Sequence, residues 1–113
     1  MFFYKTPAGN EPVRNWLKVL PPEEKKSIGE DIKAVEMSWP IGLPLVRKMD
    51  AELWEVRTDL PNKISRVVFT VWKGFMVLLH GIMKKSQKTP QEDLELAKKR
   101  RNAVRRGGAT DEE

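Results

Sequence analysis

The chain has no cysteine, a single histidine and a single tyrosine among its 113 residues. Without cysteine, disulfides and thiolate metal sites are excluded, and an apolar core must hold the fold by itself. No apolar run preceded by positive charge opens the chain, and no segment approaches the ~18 apolar residues of a membrane helix. These absences predict a soluble, cytoplasmic protein with no membrane partner. The length allows one core and not two. We expect one domain over residues 1–106 and a flexible acidic tail over 107–113, ending in Asp111, Glu112 and Glu113. Lysine and arginine number 21 against 16 acidic residues, a net charge of +5. That excess permits a polyanionic partner, and a merely solubilising basic surface explains it equally well.

What is present centres on residues 53–90. Two apolar runs, 64–72 and 75–83, flank Lys73-Gly74. A two-residue break containing glycine between such runs predicts a β-hairpin. A third run, 53–58, precedes them across a turn built on Asp59, Pro61 and Asn62. The result is a three-stranded antiparallel meander, with residues 45–49 open to a strand or an extended loop.

The first half supplies cover for this sheet. Phe2, Phe3 and Tyr4 predict a short added strand before the turn residues 7–10. Asn10 is the expected N-cap of a short helix with Pro12 in its first turn and Val13, Trp16, Leu17 and Leu20 on its apolar side. Pro21-Pro22 ends it. A second helix starts near Pro22, its first-turn Glu23 and Glu24 suited to the positive end of the macrodipole. Ile28, Ile32, Val35 and Trp39 form one stripe, and Pro40 closes the helix. Two helices joined so tightly make an αα-hairpin that lids one face of the sheet.

Strand alternation places the candidate chemistry. If Trp54 and Val56 face the helices, Glu55 and Arg57 face away, as does Arg66 when Val67, Phe69 and Val71 pack inward. Glu55, Arg57 and Arg66 then converge on the uncovered face as a rigid mixed-charge platform that suits a phosphate. A surface salt bridge across strands is the plain alternative. With Trp72 opposite Phe75, His80 falls opposite Val67 and points into the core, although a bulge would move it to the other face. After residue 83 the chain turns basic with Lys84, Lys85 and Lys88. Thr89 is the expected N-cap and Pro90 the first residue of a last helix. Lys98, Lys99, Arg100, Arg101, Arg105 and Arg106 crowd its later turns. Cations suit a helix C-terminus, but so many in nine positions favour a nucleic-acid contact.

The ordered set Leu53-Trp54-Glu55-Val56-Arg57, Arg66-Val67-Val68-Phe69, and LLHGIMKKSQKTP over residues 78–90 resembles the phage-derived, HigB-like branch of the RelE/ParE toxin superfamily. The resemblance covers nearly the whole chain. It implies an α+β, RelE-like fold, an antiparallel sheet with an N-terminal αα-hairpin on one face and a basic C-terminal helix. It also implies the toxin of a type II toxin–antitoxin pair, a ribosome-dependent endoribonuclease that cuts mRNA. Because RNA carries its own nucleophile, the 2′-hydroxyl, such cleavage needs orientation, a proton acceptor and charge stabilisation, and neither metal nor cofactor is expected.

By the same resemblance, Arg66 matches the family's sheet arginine and would bind the scissile phosphate. Lys85, with Lys84 beside it, would stabilise charge or protonate the leaving 5′-oxygen. Glu55 stands where founding members carry lysine, as a general base or only a partner for Arg57 or Arg66. The family's C-terminal tyrosine has no counterpart, which leaves His80 as a further catalytic candidate. Arg57, Lys84, Lys88, Lys98, Lys99 and Arg101 are the expected RNA contacts. The implied partners are the ribosome, mRNA and a cognate antitoxin of helix-turn-helix, HigA-like type, with operator DNA reached only through the antitoxin complex. A ParE-like gyrase poison and a non-catalytic basic module are the alternatives.

Overall fold

In the computed structural model, which describes residues 1–40, 44–85 and 88–107, the chain runs β1 (Phe2–Phe3), α1 (Pro12–Lys18), α2 (Pro22–Ser38), β2 (Val46–Asp50), β3 (Leu53–Leu60), β4 (Lys63–Trp72), β5 (Phe75–Lys84), α3 (Gln91–Arg105). The strands form one sheet in the order β1-β5-β4-β3-β2. The meander is antiparallel, as its short turns require. The β4–β5 turn places both Lys73 (φ 52°) and Gly74 (φ 83°) in the left-handed region, the geometry of a two-residue turn that matches strand twist. β1 departs from the antiparallel expectation, pairing with β5 in parallel. It comes from the far end of the chain, after two helices have intervened, so no hairpin fixes its direction. Of the stretch 45–49, left open between strand and loop, the part from Val46 belongs to β2, which runs on to Asp50.

Both helices of the α1–α2 hairpin begin at proline, where a missing amide costs nothing. Position 11, not Asn10, occupies the N-cap of α1, without a side-chain capping bond. Ile28, Ile32 and Val35 of α2 and Val13 of α1 are buried against Val56, Val67, Phe69, Met76 and Leu78. A second layer lies on the other face, where Leu53, Val68, Val77, Leu79 and Ile82 meet Ala97 and Val104 of α3. The sheet is therefore covered on both sides. This explains why β4 and β5 read as nearly continuous apolar runs and not as alternating ones. The basic segment after the meander lies over this second face, as expected of it, and so the face that carries Glu55, Arg57 and Arg66 is not the open one that strand alternation suggested.

One irregularity matters for every residue after it. Phe69 pairs with Leu78, but Val68 pairs with His80, so Leu79 is an extra residue in β5. His80 lies opposite Val68 and not Val67, and it turns toward α3. The bulge that sequence reasoning left open is the arrangement adopted. Gly81 now faces α1, and the Trp16 ring occupies the space a β-carbon would need. The tail from 108 onward and residues 86–87 of the LLHGIMKKSQKTP run lie outside the described residues. Among those described, no helix is long and apolar enough to cross a membrane.

Candidate functional site

Register alone assembles the centre of the site on the α3 side of the sheet. Arg47 pairs with Glu55, Glu55 with Val68, and Val68 with His80. One step along, Arg57 pairs with Arg66 and Arg66 with Ile82. Three arginines from three adjacent strands thus surround one carboxylate. Arg66 is 0% exposed and Glu55 1%. The Arg66 Nε lies 3.8 Å from Glu55 Oε1, an ion pair too long to be a hydrogen bond. The other oxygen, Oε2, accepts the Thr89 hydroxyl at 2.8 Å. Burial pushes the Arg66 guanidinium below its ordinary value, Glu55 opposes that, and the nearby charges of Arg57 and Arg47 add to it.

Thr89 therefore does not cap α3. The helix starts one residue later than predicted, with Pro90 in the N-cap position and no side-chain cap. Thr89 spends its hydroxyl on Glu55 and so ties the start of α3 to the middle of β3. Beside this buried centre stand the accessible cations. Lys84 and Lys85 are exposed, and Lys84 lies two residues beyond Ile82, the cross-strand partner of Arg66. Arg47 and Lys88 are exposed and Arg57 is half-buried.

His80 is committed elsewhere. Its Nε2 is 2.7 Å from Asp93 Oδ1, and its Nδ1 is 3.3 Å from Arg100 Nη1. Arginine has no acceptor, so Nδ1 accepts and the ring proton sits on Nε2 toward Asp93. Both nitrogens are thereby used in holding α3 to the sheet.

Three of the six late cations of α3 also face inward. Arg100 donates to the Leu79 carbonyl at 2.8 Å and lies over the Tyr4 ring. Burial lowers its pKa, with Tyr4 opposing. Arg101 donates to Asp50 and to the Ala51 carbonyl, both at 2.7 Å. Its hydrogen bond holds the Asp50 carboxyl below the ordinary 3.8, against a smaller opposing effect of desolvation. Arg105 donates to the Val71 carbonyl at 3.0 Å and covers Trp72. Lys98 sits 3.5 Å from Glu95, while Lys99 and Arg106 are exposed. The density of cations in α3 is thus in good part the means by which a helix with little apolar surface grips the sheet.

The structure brings Glu55, Arg57 and Arg66 together, with Lys84 on the same face of the sheet and exposed Lys85 following it in the chain. Lys98, Lys99 and Arg101 belong to α3, and His80, in the same cross-strand row as Glu55, has both ring nitrogens engaged with that helix. Arg47 was missed because the strand character of 45–49 was unresolved, and facing cannot be assigned without it. Chemically, the accessible cations at this end can hold phosphate oxygens, while Glu55 and Arg66 are enclosed behind them.

The sequence model of a family described as Phage derived protein Gp49-like (DUF891) matches residues 15–102. No curated protein matches the chain.

Proposed function

This chain belongs to the phage-derived Gp49-like family, and on that premise we propose that it is a type II toxin acting as a ribosome-dependent endoribonuclease. The observation that carries the reading is the gathering of Arg47, Arg57 and Arg66 around Glu55, on the face to which exposed Lys84 belongs, with exposed Lys85 following it in the chain. Cations fixed on a sheet stabilise negative charge without reorganising when it develops. In the proposed reaction the RNA 2′-oxygen attacks the adjacent phosphorus, its proton passes to a base, and the 5′-oxygen leaves with a proton. Lys84 and Lys85 meet the phosphate oxygens and Lys85 supplies the leaving group's proton. Arg47 and Arg57 hold the flanking backbone. Arg66, enclosed in this conformation, contributes its field and holds Glu55 in place. Glu55 is 1% exposed and can serve as the base only in a conformation that opens it to the RNA.

The test is primer extension on messenger from cells expressing the protein, with translation running and with it blocked. Cuts in register with codons, present only during translation, are the expected result. Uncut messenger in growth-arrested cells overturns the reading. One observation favours a second one: Glu55 and Arg66 are both shut from solvent, an arrangement that suits a ParE-like gyrase poison, which needs no nuclease centre. Loss of leucine incorporation on induction supports the first reading, and loss of thymidine incorporation the second.

A further inference from the structure

β2 is the last strand of its sheet, paired with β3 on one side only. The Arg57 amide donates to the Leu45 carbonyl at 2.8 Å, which fixes the phase of the ladder. Leu45 and Arg47 turn their main-chain groups toward β3. Val46 and Lys48, the alternate residues, turn theirs outward. At the opposite edge, β1 is two residues long, against five in β2.

The side chains along this edge share one sign. Arg47 and Lys48 are exposed, on opposite faces of the strand. Arg47 lies in the row of Glu55 and beside Arg57, and it is close enough to depress the Arg66 guanidinium. The acidic residue of the strand, Asp50, is held by Arg101 at 2.7 Å and lies past the bulge between Lys48 and Asp50. Val46 is half-buried at the margin of the α1–α2 layer. A strand laid along β2 would therefore meet a cation on each face and an apolar margin beside Val46.

We infer that the β2 edge is a docking site for an extended acidic segment of a partner protein, which adds a sixth strand to the sheet. Main-chain bonds to Val46 and Lys48 supply the pairing, and carboxylates opposite Arg47 and Lys48 supply the selection. A segment placed there lies over the rim of the cation cluster, so docking also covers Arg47. The inference goes beyond the nuclease reading, since it holds whether or not the sheet cuts RNA.

The test uses the whole chain, 15N-labelled, and a synthetic eight-residue peptide of alternating Val-Val and Glu-Glu pairs, which carries glutamates on both faces of an extended strand. Hydrogen exchange read by NMR should slow at the Val46 and Lys48 amides when this peptide is added. The same peptide N-methylated at alternate residues, and a valine–lysine counterpart, should leave both amides unchanged. Arg47→Glu should weaken the glutamate peptide by about tenfold and reverse the preference toward the lysine peptide. Equal protection by the lysine peptide, or none by either, overturns the inference and leaves Arg47 and Lys48 as charges that keep the edge from pairing. Shifts at β2 caused by oligouridylate, with no slowing by the glutamate peptide, also overturn it, in favour of a nucleic-acid rim.

Discussion

The Thr89 hydroxyl donates to Glu55 Oε2 at 2.8 Å, across 34 positions of sequence, with both residues buried. This bond anchors the N-terminal end of α3 to the sheet and completes the neighbourhood of the Arg66–Glu55 pair. Removing the donor while keeping its shape leaves a buried carboxylate oxygen without that bond. Thr89→Val should therefore cost about 1–3 kcal/mol, and Thr89→Ser should restore most of it. Urea unfolding of the three proteins checks this; a Val variant as stable as the parent refutes it.

Arg66→Ala acts on stability before it acts on chemistry. It strands Glu55 in the interior without its cation, which should cost about 3–5 kcal/mol. A loss of toxicity in that variant would thus report folding. Lys84→Ala with Lys85→Ala is the cleaner probe, because exposed substitutions usually stay within about 0.5 kcal/mol. If these lysines meet the phosphate, cleavage should fall by about 10²-fold at an unchanged melting point. Undiminished cleavage in the double variant would remove both from the mechanism.

His80 and Asp93, 2.7 Å apart, should behave as one unit. His80→Ala and Asp93→Ala are each expected to destabilise, and the double variant by less than the sum, with a coupling of about 1 kcal/mol. A coupling of zero would show that the contact contributes nothing to docking α3.

Gly81 has no room for a side chain. The β-carbon of alanine would overlap the Trp16 ring, which is partly buried and packed against the core on the α1 side. Gly81→Ala should cost about 1–3 kcal/mol by overpacking, and combining it with Trp16→Leu should recover part of the loss. Calorimetric melting of the two variants decides.

Asp50 gives the acid dependence its sign. Its folded pKa lies below the ordinary 3.8 because Arg101 donates to it, so its contribution to stability is present above that ordinary value. The contribution disappears as pH falls through the lowered folded value. The gap in stability between the parent and Asp50→Asn should be small at neutral pH, constant down to weak acid, and closed in strong acid. A gap that widens on acidification would contradict the assignment.

Much of this was legible in residue order. The Lys73-Gly74 turn fixed Trp72 opposite Phe75, and the 28–32–35 spacing gave the buried stripe of α2. The facing of Glu55, Arg57 and Arg66 followed from period two. What escaped were features set by tertiary contact. The α3 layer was under-read because Ala97 and Val104 give it little apolar signal, and its grip comes from arginines reaching sheet carbonyls. Thr89 read as a cap because local pattern cannot see a carboxylate 34 residues away. The side of His80 turned on one extra residue in β5, and an apolar run carries no mark of where a ladder skips.

That extra residue, Leu79, divides β5 into two halves running out of step. Toward the tip, odd-numbered side chains go to α3; toward the base, even-numbered ones do. A ladder in continuous step would have delivered Lys84 beneath the helical hairpin, turned the bare Gly81 backbone toward α3, and set a side chain where the Trp16 ring now lies. The placement of a lysine at the mouth of the cation cluster and the seating of an indole on the opposite layer are thus consequences of a single offset in one strand.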